Sequence, residues 1–207
     1  MDYNTLIKRI FSSLLILVIF FYIIFFNEIL LKYLVSLIFF IILIEIFKNF
    51  KNKIDKIILL FYILISFIFL QLYFIFFYQV HIFIFYCLII MLFDTSSYIF
   101  GTTFGEKKIF KKISPKKTFF GFYSGFFITI IISLTINYFL NIFSAQLCIV
   151  FIFYTIMLAF IGDILESFFK RKSNLKNSGN IIPGHGGFFD RFDSFILNNY
   201  GLLIFSY

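Results

Sequence analysis

The chain has 207 residues, of which 62% are hydrophobic and 14% charged, and a mean hydropathy of +1.03, a balance that excludes an ordinary soluble domain and marks an integral membrane protein. Its formal charge of +8 arises from 18 Lys and Arg against 10 Asp and Glu, so the places where those few charges gather carry both the topology and the chemistry. Cys87 and Cys148 lie inside apolar runs, which supports neither a disulfide framework nor metal-ligand spacing and leaves them as packing residues.

In chain order, Lys8 and Arg9 precede an apolar run over residues 10–26, long enough to cross a hydrocarbon core of roughly 30 Å. A signal peptide fits poorly, because no small-residue cleavage site follows and Asn27-Glu28 leads straight into more apolar sequence. The second run, residues 29–47, is broken by Lys32 and Glu45; Glu28 and Glu45 are read as interfacial. A connector over 48–56 carries Lys48, Lys51, Lys53 and Lys56, read as setting topology or meeting anionic headgroups. Residues 57–93 form a 37-residue stretch whose strongly polar members are Gln71, Gln79 and His81, too long for one span and suited to two joined by a turn near Gln79, with His81 in the turn. A polar region over 94–121 follows, then a fifth span at about 119–143, a sixth at 147–161 and a seventh at about 192–207. The expected fold is all-α: one polytopic membrane domain over residues 1–207, a helical bundle of about seven transmembrane helices.

The loops on the N-terminal side of such a bundle hold 17 of the 18 basic residues and the opposite side only Lys32. By the positive-inside rule this predicts a multi-pass protein of the cell inner (cytoplasmic) membrane with both polar regions facing the cytoplasm, where nucleotides are.

The chemistry concentrates in residues 162–193, where 32 positions collect four of the ten acidic residues (Asp163, Glu166, Asp190, Asp193), five of the eighteen basic ones and one of the two histidines. Carboxylates flanking a basic, Gly-rich loop suit a phosphate ligand carried with a divalent cation: the carboxylates hold the ion, and Lys and Arg neutralise phosphate oxygens. Asp163 and Asp190 could share one ion across the loop. Lys116 and Lys117 follow Ser114-Pro115, read as a turn, and Thr118 and Gly121 open a helix whose free N–H groups favour anions. With Lys170 and Arg171 they would form a polyphosphate cradle, and Gly184, Gly186 and Gly187 would let the backbone approach a ligand. A lone GxGG is common in turns, and the Asp190/Asp193 pair could merely cap a helix; the combination carries the reading.

The run Ser167, Phe168, Phe169, Lys170, Arg171, then Lys176, Asn177, Ser178, Gly179, then Pro183 to Gly187, Asp190-Arg191 and Asp193 closely resembles the signature of phosphatidate cytidylyltransferases, also called CDP-diacylglycerol synthases. Asp94-Thr95, Tyr98, Gly101, Phe104-Gly105, Ser114-Pro115, Lys117-Thr118 and Gly121 look like the same family's second motif, and with Gly162-Asp163 and Glu166 the resemblance covers roughly residues 90–207. The first 90 residues match only as apolar spans, and the chain looks short at its N-terminus beside typical bacterial members.

The resemblance implies that CTP and phosphatidate react to CDP-diacylglycerol and pyrophosphate, with Mg²⁺ required and K⁺ beside it. Carried onto this chain, it gives Asp163 and Asp190 the metal pair and, with Lys170, Arg171 and His185, the catalytic set. Asp94, Ser114, Lys116, Lys117, Thr118, Lys176, Gly186, Gly187 and Arg191 become the nucleotide- and phosphate-binding set. The phosphatidate phosphate is already an anionic nucleophile, so catalysis reduces to aligning two anions and screening their charge; His185 is then read as structuring the loop or contacting phosphate. The implied partners are CTP, phosphatidate and the lipid bilayer, without nucleic acid, and a homodimer is left open. Three positions depart from the usual pattern: Asn177 where an Asp follows the Lys, Phe120 where Glu or Gln precedes the Gly, and Thr102 where a basic residue often follows the Gly. A CTP-dependent polyprenol kinase or isoprenoid-lipid cytidylyltransferase would share the basic loops but lack the full signature. A carrier would place its polar residues at midspan in matching broken helices.

Overall fold

The structure is a computed structural model that describes Tyr22 and residues 28–179, 181 and 186–205. Among the described residues the element order is α1 (Glu28–Asn49), α2 (Lys53–Phe76), α3 (Val80–Phe104), β1 (Lys108–Phe110), β2 (Ser114–Thr118), α4 (Phe119–Leu140), α5 (Ala145–Lys172) and α6 (Phe189–Ile204), with the two strands forming one hairpin. Among the described residues five helices, α1 to α5, are long and apolar enough to cross a membrane. The expected count of about seven is not reached there: residues 10–26 fall outside the described residues apart from Tyr22, and α6 has 16 residues.

Local chemistry sets the boundaries. Asn52 caps α2 by accepting the Ile54 N–H, and Thr118 caps α4 by accepting the Gly121 N–H at 3.1 Å. The turn at Gln79 is as expected, with the Tyr73 hydroxyl donating to the Gln79 carbonyl at 3.2 Å and His81 exposed beside it. Two helices run past their apolar segments. α3 continues through Asp94 to Phe104, where the sequence reading had a polar loop; Ser96, Thr102 and Thr103 turn their hydroxyls back onto carbonyls of Leu92, Tyr98 and Ile99 and so remain inside a helix. α5 continues eleven residues beyond Ile161 to Lys172, supported by the Glu166–Lys170 pair one turn apart.

The fold is not wholly α. The segment between α3 and α4 folds back as an antiparallel hairpin in which Lys108 pairs with Thr118 and Phe110 with Ser114. Ser114-Pro115 therefore stands in a strand and not in a turn; a two-stranded ribbon has an outer edge on which a proline's missing N–H is harmless.

α6 lies among the other helices, tied by polar bonds that are useful where lipid offers no hydrophobic drive between helices. Asn198 donates to the Thr155 carbonyl on α5 at 3.1 Å, Asn199 donates to Ser66 on α2 at 3.0 Å, and the Tyr86 hydroxyl of α3 meets the Asn199 side chain at 3.2 Å. Ser66 in turn donates to the Ile196 carbonyl at 2.6 Å. Around them Phe74, Phe83, Phe85, Phe151 and Ile196 are fully buried. α6 is thus held in fixed register against α2, α3 and α5, and its first two turns carry Asp190 and Asp193.

Candidate functional site

The site forms where the C-terminal extension of α5 meets the start of α6. The helical extension puts Asp163, Glu166 and Lys170 at i, i+3 and i+7, on one face. Opposite them α6 approaches closely at Gly162, where an added Cβ would lie 2.7 Å from the Asp193 carbonyl oxygen. That approach brings one carboxylate oxygen each of Asp163, Glu166 and Asp193 within 4.8 Å of one another.

Two lysines flank the carboxylates. Lys117 Nζ reaches from β2 to within 2.7 Å of Asp163 Oδ2 and lies 4.5 Å from the centre of the Phe160 ring. Lys170 Nζ bridges Glu166 Oε2 at 2.6 Å and Asp190 Oδ1 at 2.7 Å. Glu166 is 2% exposed, and its second oxygen, Oε1, has no hydrogen-bond partner among the described residues. Asp94 joins from α3 through Ser194, whose hydroxyl is 3.5 Å from Asp94 Oδ1 and also donates to the Ala159 carbonyl.

Asp190 stands at the first turn of α6 and accepts from the backbone N–H groups of Ser178 and Gly187, both at 2.9 Å, as well as from Lys170. Burial pushes its carboxyl up, but the Lys170 ammonium and the Gly187 N–H outweigh burial and hold it below the usual carboxylate range. Asp190 therefore organises the loop before α6, while the carboxylates gathered about Asp163 are Glu166 and Asp193. Neither of these two stood in the expected ligand set. The signal for them was the i, i+3 spacing that each shares with Asp163 or Asp190 on a helix.

The other expected site residues spread around this centre. Thr118 is buried and engaged as the cap of α4. Lys116 is exposed on the same strand as Lys117, and Ser114 begins that strand. Arg171 donates to the Ile113 carbonyl at 3.2 Å and to the Leu175 carbonyl at 3.0 Å, fastening the hairpin to the end of α5. Lys176 and Arg191 are exposed, and Gly186 and Gly187 are buried beside Asp190. His185, with Pro183 and Gly184, lies outside the described residues. Glu45, read as interfacial, is instead 2% exposed and accepts from the N–H groups of Phe188 and Phe189. A carboxylate at the end of an apolar run looks like a boundary in sequence; its burial comes from partners 143 and 144 residues away.

The model of the cytidylyltransferase family matches residues 57–207. The chain is similar to the phosphatidate cytidylyltransferase of Staphylococcus aureus (strain COL), with 42% identity over 130 residues that cover 59% of this chain and 50% of that protein. It is similar as well to the phosphatidate cytidylyltransferases of Staphylococcus saprophyticus, 42% identical over 118 residues covering 56% of this chain and 45% of that protein, and of Staphylococcus epidermidis (strain ATCC 12228), 42% identical over 110 residues covering 53% and 42%. The chain spans about half the length of the curated relatives it matches. The matched stretch contains most of α2, all of α3 to α6, the hairpin and every residue of the carboxylate–lysine cluster, and the chain belongs to the cytidylyltransferase family.

Proposed function

We propose that the chain transfers the cytidylyl group of CTP to the phosphate of phosphatidate, releasing pyrophosphate and leaving CDP-diacylglycerol in the membrane. The observation that carries this reading is the cluster of Asp163, Glu166 and Asp193 beside Lys117 and Lys170. With Asp94 and Asp190, five carboxyl groups face two lysines, a surplus of acidic groups that a divalent cation would stabilise in their ionised form. The unpartnered Glu166 Oε1 fits the same conclusion, since a buried carboxylate oxygen without a donor is costly unless a cation meets it. Asp163, Glu166 and Asp193 would hold Mg²⁺, with Asp190 bound to the cluster through Lys170 and K⁺ as a second ion beside it. Magnesium there would screen the phosphate oxygens of the nucleotide as charge moves onto the departing pyrophosphate.

The rest is done by side chains. Lys117 and Lys170 draw the phosphates of CTP to the cluster, and Arg171, Lys116 and Lys176 add positive charge at its edge. The phosphatidate phosphate needs no strong base, so the residues work by holding two anions in line at the bilayer surface. The basic hairpin faces the cytoplasm, the CTP side, in keeping with the positive-inside expectation from the sequence, which puts 17 of the 18 basic residues on that side.

The carboxylates are tested directly. Asp163→Asn and Asp193→Asn are expected to abolish or severely cut turnover at normal membrane abundance, and to weaken binding of Mn²⁺, used as a paramagnetic stand-in and followed by electron paramagnetic resonance, by at least tenfold. Wild-type Mn²⁺ affinity in both variants would sink the metal assignment.

A further inference from the structure

Glu45 is a buried carboxylate that the catalytic reading leaves without a task. It sits on α1, 2% exposed, and among the described residues no lysine or arginine pairs with it. A carboxylate in such a place persists only if donors converge on it. Phe188 N–H donates to Oε1 and Phe189 N–H to Oε2, both at 3.0 Å, and the Ser178 hydroxyl lies 3.4 Å from Oε2. The two N–H groups are the first donors of α6, whose N-cap residue, Phe188, offers no side-chain cap of its own. Glu45 thus does from another helix what an Asp or Ser does at an ordinary N-cap, and its charge also complements the positive end of the helix dipole.

The neighbouring contacts point the same way. Asn49, one turn on, donates to the Ser178 carbonyl at 2.5 Å, and Phe50 packs edge-on against Phe189. Ser178 is therefore strapped between α1, through Glu45 and Asn49, and α6, through Asp190. The glycines are fitted to the same carboxylate: an added Cβ at Gly179 or Gly187 would lie 2.5 Å from Glu45 Oε1. The backbone of Gly179 closely approaches Glu45, and that of Gly187 approaches Glu45 together with the Ser178 hydroxyl.

We propose that Glu45 is a positioning residue for cytidylyl transfer: by capping α6 and holding the Ser178 strap, it fixes where Asp190 and Asp193 stand relative to Asp163, Glu166 and Lys170. The kinetic half of this rests on the proposed function; the structural half does not. Glu45→Gln keeps the size but removes the charge, and its single amide oxygen can serve one of two diverging N–H groups. Two measurements on the full chain separate a positioning role from a general structural one. Amide hydrogen exchange should speed up about tenfold in the peptide over residues 186–192 while the peptide over 119–140 is unchanged, and the Mg²⁺ concentration for half-maximal transfer should rise about tenfold. Glu45→Asp, charged but shorter, should fall between wild type and Glu45→Gln in both.

A lower maximal rate with an unchanged Mg²⁺ half-saturation, whether exchange stays wild-type or speeds up alike in both peptides, would overturn the proposal, since a general loss of fold speeds exchange throughout and reduces the active fraction without moving the Mg²⁺ half-saturation. If Glu45→Gln does not accumulate, Ser178→Ala removes only the longest of the three donors and should raise the Mg²⁺ half-saturation about twofold; wild-type values there would overturn it too. A wild-type protein that makes no CDP-diacylglycerol, with exchange still responding to Glu45→Gln, would refute the functional reading and uphold the hold of Glu45 on α6.

Discussion

Replacing Lys170 by methionine removes the one cation shared by two buried carboxylates while keeping most of the side-chain volume. Lys170 Nζ stands 2.6 Å from Glu166 and 2.7 Å from Asp190, with side-chain exposures of 12%, 2% and 10%. At an effective dielectric of about 20, each pair attracts by roughly 6 kcal/mol before the cost of taking the ions out of water. That cost is several kcal/mol per ion, so most of the attraction is cancelled in the intact triad. In the variant the cost remains and the attraction is gone, which places the loss at about 3–5 kcal/mol. For a chain of this size, roughly 2–4 °C per kcal/mol gives a fall in midpoint of about 6–20 °C. The assay is thermal unfolding of the purified protein in detergent, followed by a thiol-reactive fluorophore that reports exposure of the fully buried Cys148. Lys170→Arg retains the charge and should lose less than half as much. Added Mg²⁺ should stabilise Lys170→Met more than wild type, because a cation at the carboxylates replaces part of the missing charge. A midpoint for Lys170→Met within 2 °C of wild type would refute this account of the triad.

Two further outcomes follow from the same geometry. Cysteines introduced at the exposed positions Lys111 and Lys176 should resist an impermeant thiol reagent in sealed cells and react once the cytoplasmic face is opened, whereas Ser144→Cys, exposed at the opposite end of α4 and α5, should label in sealed cells; the reverse pattern would overturn the orientation. Asn177, where the resemblance leads one to expect Asp, lies against Gly186 beside Asp190, so Asn177→Asp should shift the Mg²⁺ half-saturation of transfer, and an unchanged titration would set the position outside the metal site.

Much of the membrane architecture was legible because apolar runs and loop lysines are local signals: the second to sixth expected spans correspond to α1 to α5, and the turn at Gln79 stands where polarity interrupts the 37-residue stretch. The helix ends were not legible, since hydropathy falls at Asp94 and Gly162 while the backbone stays helical through hydroxyl back-bonds and the Glu166–Lys170 pair. The hairpin was hidden by Pro115, which reads as a turn unless the strand has a free edge. In the site, motif spacing found Asp163, Lys117, Lys170 and Asp190. The gathering of Glu166 and Asp193 about Asp163 depends on the close approach of two helices at Gly162, and the burial of Glu45 on contacts more than 130 residues distant. Neither is written in any local pattern.

Catalysis itself is tested most directly by giving membranes containing the chain CTP labelled in the cytidine, phosphatidate and Mg²⁺, and measuring label in the lipid phase together with released pyrophosphate. Lipid label that requires all three additions, appears in equal amount with pyrophosphate and is lost in Asp163→Asn is the predicted result. Membranes in which wild type and Asp163→Asn transfer no more label than empty membranes, with both proteins present at equal abundance, would contradict it.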